Sequence, residues 1–351
     1  MNIGIVGANG DIGMELSFLI RDENINIIPI VRTELAAAFF KYHGFSCEIF
    51  DSSSQSPTNQ RMSDLDAVVI AARASNSNIQ ERRKLNERII RNTVRNCGDD
   101  TSIIYLSSLA AYGRDFYGEM MDELTVRNYI EEKRYCEKFV RNEVNKNDSK
   151  AYILRLGVVV GPNQSLSKTI AEHGIYRDEM QFQFEWGHDS NALHTVTLCE
   201  AIERCSRELV EPGTYSLVNH PQWSWREVIE HYTPRETELT FHQPKKSNSS
   251  GSALTSLLEA GWSFLRWLGQ DLIYPVRIRA PYVVETYAVA KGKRENAASD
   301  IRELDERRKN TIDMPEFRYD SIGEATFPGL SKTRSIIEQE ETVNELFRNG
   351  D

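Results

Sequence analysis

The segment Gly-Ala-Asn-Gly-Asp-Ile-Gly at residues 7–13 places three glycines three residues apart, directly after the apolar run at 2–6. An amphipathic stretch follows it. A glycine-rich turn between a buried strand and a helix is typical of a dinucleotide-binding βα unit. In such a turn Gly7 permits a sharp bend, Gly10 admits a pyrophosphate, and Gly13 lets the helix pack closely. The helix N-terminus then attracts the phosphates.

The first half of the chain alternates short apolar runs with longer amphipathic stretches. The runs NIGIVG, INIIPIVR, LDAVVIAA and SIIYLSS are separated by stretches such as DIGMELSFLIRD and ERRKLNERIIRNTVRNC. This alternation predicts an α/β fold, a Rossmann-type doubly wound parallel sheet with helices on both faces. The length of 351 residues fits one elaborate domain or two.

The end of the second predicted strand indicates which dinucleotide is bound. An acidic residue is common there in proteins that bind NAD, but this chain has Arg32. A guanidinium can stack on adenine and pair with a 2′-phosphate, so the sequence favours NADP over NAD. A solvated arginine at a strand end is the alternative. Asp51 closes the third strand and is predicted to contact the adenine amino group, with loop capping as its alternative.

A catalytic group is predicted near the ends of later strands. Ser107 and Ser108 end the run SIIYLSS, and the next helix carries Tyr129 and Lys133 in YIEEK. A spacing of four residues puts the tyrosine and lysine on one helix face. A nearby ammonium group favours the phenolate, so Tyr129 could exchange a proton with a carbonyl or alcohol, and Ser108 could hold the same oxygen.

These motifs together resemble the extended short-chain dehydrogenase/reductase family, which includes NAD-dependent epimerases and dehydratases. The resemblance rests on five segments in the expected order: GANGDIG, LDAVVIAA, LSSLAAYG, YIEEK and LRLGVVVGPN. The later segments ALHTVTLCEAI and GTYSLVNHPQWSWREVI are similar to the family's substrate-domain pattern, so the resemblance covers about residues 1–235.

The resemblance implies a hydride-transfer enzyme. Tyr129 would be the general acid and base, Lys133 would bind the nicotinamide ribose, and Ser108 would polarise the substrate oxygen. It also implies a Rossmann domain at 1–165 and a smaller α+β substrate domain at 166–351. The predicted cofactor-binding residues are Gly7, Gly10, Ile12, Gly13, Arg32, Asp51, Ala71, Ala72, Tyr129 and Lys133. Asn86 falls where the family often keeps a structural asparagine.

Two departures from the family pattern reduce the range of reactions and substrates that the sequence allows. Leu109 and Ala110 follow Ser108 where sugar 4,6-dehydratases carry an acidic pair, which argues against dehydration. Val158 stands three residues after Arg155, where nucleotide-sugar epimerases usually have an asparagine. A valine cannot make the polar contact to the nucleotide sugar that an asparagine makes, which weakens the nucleotide-sugar interpretation but leaves it open.

Composition excludes several other classes. The net charge of −10 and the scattered basic residues argue against nucleic-acid binding. Five cysteines without a CxxC pair argue against a disulfide framework or structural zinc, and the histidines form no HxH or HExxH motif, so no metal is predicted. No apolar run is long enough to span a membrane, and the glycine loop begins too early for a signal peptide. A cytoplasmic location is therefore expected.

The last third of the chain is harder to interpret. A polar linker at 244–252 begins an insertion that extends to about residue 310 and ends in a densely charged stretch. Helical spacing of apolar residues after the linker leaves three roles open: packing on the core, a lid over an apolar substrate, or a membrane or dimer contact. The residues are Leu254, Leu257, Leu258, Trp262, Leu265 and Leu268.

The favoured function is an NADP-linked oxidoreductase acting on a ketone or secondary alcohol of a small biosynthetic intermediate. One alternative is a nucleotide-sugar epimerase or 4-reductase. Another is a binding protein that senses NADP without catalysis, although its usual sign, a lost Tyr129 or Lys133, is not seen. The expected partner is a small-molecule substrate, and a homodimer is left open.

Overall fold

A computed structural model of the chain describes residues 1–20, 24–55, 62–74, 79–113, 124–147, 149–175, 179–183, 187, 189–233, 237–242, 311–312, 327–328 and 330. The chain divides into two compact units. The larger contains residues 1–176, 186–235 and 316–351, and the smaller contains residues 177–185 and 236–315. The insertion predicted at 244–310 and its apolar helix lie outside the described residues.

A seven-stranded parallel sheet forms the centre of the larger unit. Its strands are β1 (Asn2–Val6), β2 (Asn26–Val31), β3 (Glu48–Ile49), β4 (Ala67–Ile70), β5 (Ser102–Ser108), β6 (Lys150–Leu156) and β10 (Gly213–Leu217). Their order in the sheet is β3-β2-β1-β4-β5-β6-β10. The chain therefore reverses direction across the sheet between β1 and β4, which is where open sheets of this kind bind ligands.

Helices cover both faces of this sheet. They are α1 (Asp11–Leu19), α2 (Glu34–Tyr42), α3 (Ile79–Asn96), α4 (Leu124–Lys146), α5 (Ser165–Ile175), α6 (Thr195–Ser206) and α7 (Trp225–Tyr232). Successive strand residues point to opposite faces. Val69 belongs to the core cluster under α1, α2 and α6, whereas its neighbour Val68 belongs to the cluster under α3 and α4. The predicted doubly wound fold is thus confirmed.

Local sequence explains where several helices begin. The Thr33 side chain accepts a hydrogen bond from the Ala36 amide at the start of α2. Ser224 and Glu227 form a reciprocal capping box at the start of α7. α1 begins at Gly10 without a side-chain cap, so its first amides remain directed toward the carboxyl edge of the sheet.

The remaining strands lie outside the main sheet. β7 (Val158–Val160) pairs in parallel with β9 (Ala192–His194) in the larger unit. In the smaller unit β8 (Glu179–Gln183) pairs in parallel with β11 (Glu238–His242) and β12 (Thr311–Ile312). The predicted boundary between the two domains is residue 165, but strand β10 of the main sheet lies beyond it, at Gly213–Leu217. The division of cofactor and substrate roles at residue 165 stays a prediction.

Candidate active site

The glycine loop joins β1 to α1 through close backbone contacts. Gly7 has φ of 87°, and a Cβ added there would lie 2.7 Å from the Ala72 Cα. A Cβ on Gly13 would lie 2.3 Å from the Gly7 carbonyl oxygen. Gly10 is less crowded, since its added Cβ would meet that oxygen at 3.4 Å. Gly7 and Gly13 are therefore required by packing, whereas Gly10 leaves open space beside the helix N-terminus.

A cavity of about 570 Å³ lies at the carboxyl ends of β1, β2 and β4. Its walls include the glycine loop, the loop after β4 and part of α3. Of the predicted cofactor residues, those lining it are Gly7, Gly10, Arg32, Ala71 and Ala72. The cavity therefore brings together the helix N-terminus, the end of β2 and the switch point of the sheet, the combination expected to hold a dinucleotide.

Arg32 and Asp51, the two charged residues predicted to bind the cofactor at this end of the sheet, differ in their contacts. Arg32 is exposed and lines the cavity. The Asp51 carboxylate accepts hydrogen bonds from the Ser53 amide at 3.0 Å and the Ser53 hydroxyl at 2.6 Å. Ser52 and Ser53, which the sequence analysis did not single out, line the cavity. The contact of Asp51 with adenine stays a prediction, and its observed bonds are those of a loop cap.

A second cavity of about 250 Å³ adjoins the first and contains the predicted catalytic group. Ser108, Tyr129 and Lys133 all line it, together with Ile12. Ala71, Ala72 and Arg73 line both cavities. A dinucleotide lying along the first cavity would therefore reach the second past the loop that follows β4.

Local contacts hold the three side chains in position. The Ser108 hydroxyl accepts a hydrogen bond from the Ala110 amide at 3.2 Å and caps the 3-10 turn Leu109–Tyr112. Lys133 is buried, and its Nζ donates to the Leu106 carbonyl at 3.4 Å. The same Nζ lies 5.8 Å from the centre of the Tyr129 ring. α4 and the end of β5 thus bring serine, tyrosine and lysine to one point.

The surroundings of Tyr129 favour its charged form. Burial opposes ionisation, but Lys133, a hydrogen bond from Ser108 and the charge of Arg73 outweigh burial, so the pKa of Tyr129 lies below its ordinary value. Glu132 works in the opposite direction. A tyrosine with a lowered pKa can give up and recover a proton nearer to neutral pH.

A charged cluster beside Tyr129 was not predicted from the sequence. The Arg73 guanidinium lies 5.0 Å from the Tyr129 ring centre, and its Nε pairs with Glu132 at 2.9 Å. Glu132 is buried, also pairs with Arg82, and accepts a hydrogen bond from Asn86 at 3.3 Å. The second glutamate of YIEEK was the available signal, because it follows Tyr129 by three residues and so lies on the same helix face as the tyrosine.

A second buried network supports the ends of β5 and β6. Arg155 donates two hydrogen bonds to Glu137, at 2.9 and 2.8 Å, and its guanidinium lies 4.6 Å from the Tyr112 ring centre. The Ser107 hydroxyl donates to Glu137 at 2.7 Å. Ser107 is therefore bound to this network, whereas its neighbour Ser108 is directed to Tyr129.

The buried carboxylate of Glu15 ties α1 to the segment after β7. It accepts hydrogen bonds from the Asn163 amide at 2.5 Å and the Gln164 side chain at 2.8 Å. Burial raises the pKa of Glu15, and these hydrogen bonds partly oppose the rise.

The residues that the structure describes contain neither a candidate metal site nor a candidate membrane span. In that part of the chain, no cluster of three or more His, Cys, Asp and Glu side chains could hold a metal ion. No described helix combines the length and apolar composition needed to cross a membrane.

Comparison with known proteins agrees with this architecture. Residues 3–177 match the sequence model of the NAD dependent epimerase/dehydratase family. A search of curated proteins found no match. Among solved structures, the chain is similar to the UDP-N-acetylglucosamine 4-epimerase from Bacillus cereus, with 15% identity, a TM-score of 0.53, and coverage of 71% of this chain and 88% of that one.

Two other solved structures are similar to the same extent. The UDP-Glc/GlcNAc 4-epimerase of Campylobacter jejuni has 19% identity and a TM-score of 0.52, over 71% of this chain and 88% of that one. The ADP-L-glycero-D-manno-heptose-6-epimerase of Helicobacter pylori has 18% identity and a TM-score of 0.50, over 69% and 85%. At these identities the likeness shows a shared fold. Residues 3–177 therefore carry the sequence pattern of the NAD dependent epimerase/dehydratase family, and the resemblance stated from the motifs is confirmed.

Proposed function

We propose that the protein is an NADP-linked oxidoreductase that interconverts a ketone and a secondary alcohol on a small biosynthetic intermediate. One observation carries the proposal: Ser108, Tyr129 and Lys133 line a cavity that shares Ala71, Ala72 and Arg73 with the cavity at the glycine loop. A hydride donor and a proton donor can therefore reach the same substrate carbon and oxygen from adjoining spaces.

The residues at the first cavity fit a dinucleotide. Space beside Gly10 opens at the N-terminus of α1, and the contacts of Gly7 and Gly13 keep the loop close to the sheet. The loop amides and the helix N-terminus would hold the pyrophosphate. When bound in its reduced form, the nicotinamide supplies the hydride that the carbonyl carbon accepts.

The protein's own groups manage the proton and the substrate oxygen. In reduction the Tyr129 hydroxyl donates its proton to the oxygen, and in oxidation the Tyr129 phenolate takes it back. Ser108 holds that oxygen by a hydrogen bond, and Lys133 stabilises the phenolate. Because the pKa of Tyr129 is lowered, oxidation should rise with pH through that pKa, and reduction should fall through it.

The preference for NADP rests on Arg32. The side chain lines the cavity at the end of β2, where NAD-binding proteins commonly have an acidic residue. We expect Arg32→Gln to weaken NADPH binding by roughly tenfold or more and to leave NADH binding nearly unchanged, because a charge-assisted contact to the 2′-phosphate is lost. Lys41→Gln, an exposed position on α2 away from the cavity, is the control. Equal weakening of both cofactors in a fluorescence titration would contradict the role of Arg32.

A nucleotide-sugar epimerase or 4-reductase is the second candidate function. The intact Ser108, Tyr129 and Lys133 permit it, and the 4-epimerases of Bacillus cereus and Campylobacter jejuni have the same fold. Val158 remains the observation against it. For either function, we also propose that the second half of the chain binds the substrate. We propose in addition that the protein is cytoplasmic and can form a homodimer.

The deciding experiment identifies any nucleotide released when freshly purified protein is denatured. An epimerase returns the hydride it removes, so we expect it to retain stoichiometric NAD, detected by mass spectrometry. Protein without bound nucleotide that binds NADPH more tightly than NADH supports the oxidoreductase. Calorimetry with UDP-, GDP-, CDP- and dTDP-sugars then tests the alternative directly, and turnover with a panel of carbonyls and alcohols tests the favoured function.

A further inference from the structure

Arg73 lies at the boundary between the two cavities. It follows β4 by three residues and lines both spaces. Its guanidinium carbon is 5.0 Å from the centre of the Tyr129 ring, closer than the Lys133 ammonium at 5.8 Å. A cation over an aromatic face is attracted by the ring, and the attraction grows when the ring carries a phenolate charge.

Buried polar groups fix the arginine in this place. Glu132 binds the Arg73 Nε and is itself only 3% exposed. Asn86 donates to Glu132 and accepts a hydrogen bond from the Ala74 amide at 2.8 Å, so it holds the residue after Arg73 as well. Glu132 is three residues after Tyr129 on α4, which places anchor and tyrosine on the same helix face.

The following inference about Arg73 rests on the proposed reaction, in which Tyr129 exchanges a proton with the substrate oxygen. We propose that Arg73 is a second positioning cation for Tyr129, which acts beside Lys133 to stabilise negative charge on the tyrosine ring, and that Glu132 holds Arg73 over that ring. The alternative is a purely structural ion network joining the loop after β4 to α3 and α4.

Arg73 stays charged throughout the titration of a tyrosine, because a guanidinium remains protonated in proteins. Burial disfavours the charged guanidinium, but Glu132 outweighs this effect and raises the pKa of Arg73. Other titratable or polar groups also face Tyr129, and any measurement on it reports their sum. They are Lys133 and Glu132 from α4, and Tyr105 and Ser108 from β5.

The experiment measures the ionisation of Tyr129 directly, without a substrate. Full-length protein is labelled at tyrosine Cζ with ¹³C and titrated by NMR, and Tyr129→Phe identifies the resonance among the 14 tyrosines. Arg73→Gln removes the charge, and Arg73→Lys retains it. Arg82→Gln is the matched control, because Arg82 binds the same carboxylate.

We expect Arg73→Gln to move the Tyr129 titration to higher pH, reducing its ionised fraction at a fixed pH below the midpoint by about three- to tenfold. Arg73→Lys should restore most of the ionised fraction, and Arg82→Gln should change it much less. Equal displacement by Arg73→Gln and Arg82→Gln, or no displacement by Arg73→Gln, would overturn the inference.

The design separates this inference from the proposed function. If Tyr129 of the unsubstituted protein ionises only at the pH of an ordinary tyrosine, the proposed role of the Tyr129 phenolate in oxidation fails before Arg73 is considered. If Tyr129 ionises at a lower pH than an ordinary tyrosine but its titration is unchanged in Arg73→Gln, only the inference about Arg73 fails. Should Arg73→Gln not fold, Arg73→Met provides the uncharged side chain, and the pH profile of alcohol oxidation provides a second readout, with its rising limb displaced to higher pH.

Discussion

Two regions at the carboxyl ends of the strands differ in the atoms that form them. The cofactor edge is the region around the glycine loop at residues 7–13, and the catalytic edge is the region around Ser108, Tyr129 and Lys133. At the cofactor edge, backbone atoms of Gly7, Gly10 and Gly13 shape the loop between β1 and α1. At the catalytic edge, the buried side chains of Lys133 and Glu132 and the partly exposed side chain of Arg73 meet around Tyr129. The glycine loop has no room for an added atom at Gly7 or Gly13, whereas the catalytic edge tolerates changes in shape better than changes in charge.

The largest effect is expected from a substitution of Tyr129. We expect Tyr129→Phe to reduce turnover by about 10²- to 10⁴-fold, because the proton donor is removed while the ring remains. Cofactor affinity, measured by NADPH fluorescence, should change little, since the hydroxyl lies in the second cavity. Unchanged turnover would mean that the tyrosine is not the proton donor.

The next largest effect is expected within the glycine loop. Gly13→Ala places a methyl group 2.3 Å from the Gly7 carbonyl oxygen, so we expect the free energy of unfolding to fall by about 3 kcal/mol. Gly10→Ala is the matched control, because its methyl group meets that oxygen at 3.4 Å. Chemical denaturation should therefore separate the two variants, with Gly10→Ala weakening NADPH binding more than stability. Similar stability of both variants would contradict the packing argument.

The smallest expected effect concerns the link between the two edges. Asn86→Ala leaves the Ala74 amide without its hydrogen-bond partner and removes one donor from Glu132, which keeps Arg73 and Arg82, so we expect a loss of about 2 kcal/mol in unfolding free energy. Asn92→Ala, on the same helix, removes hydrogen bonds only to the carbonyls of Ser52 and Ser54 at the cofactor edge. Turnover should fall in the first variant and persist in the second; loss of turnover in both would show that the two edges are not separable.

The sequence predicts residues at both edges wherever the information is local. The glycine spacing at 7–13 lies within one turn, and the alternation of apolar runs correctly predicts the parallel sheet. Tyr129 and Lys133 are similarly one helical turn apart. Spacing within a short window therefore identifies the residues whose side chains line the second cavity.

The contacts that sequence analysis missed join distant positions. Arg73 and Glu132 are 59 residues apart, and Glu15 is 148 residues from Asn163. Nothing in the spacing of either pair indicates contact, because tertiary folding alone brings them together. Asp51 illustrates the opposite difficulty: its sequence position suggests adenine, yet its nearest partner is Ser53, two residues away.

The position of β10 has a consequence for the order of synthesis. This strand pairs with β6 at the edge of the main sheet, but the chain first leaves that sheet to form β8 in the smaller unit. A ribosome must therefore extend the chain to residue 217 before β6 has a neighbour on that side, several seconds after β6 itself emerges. During that interval the nascent chain carries an unpaired strand edge, the feature through which growing chains associate wrongly.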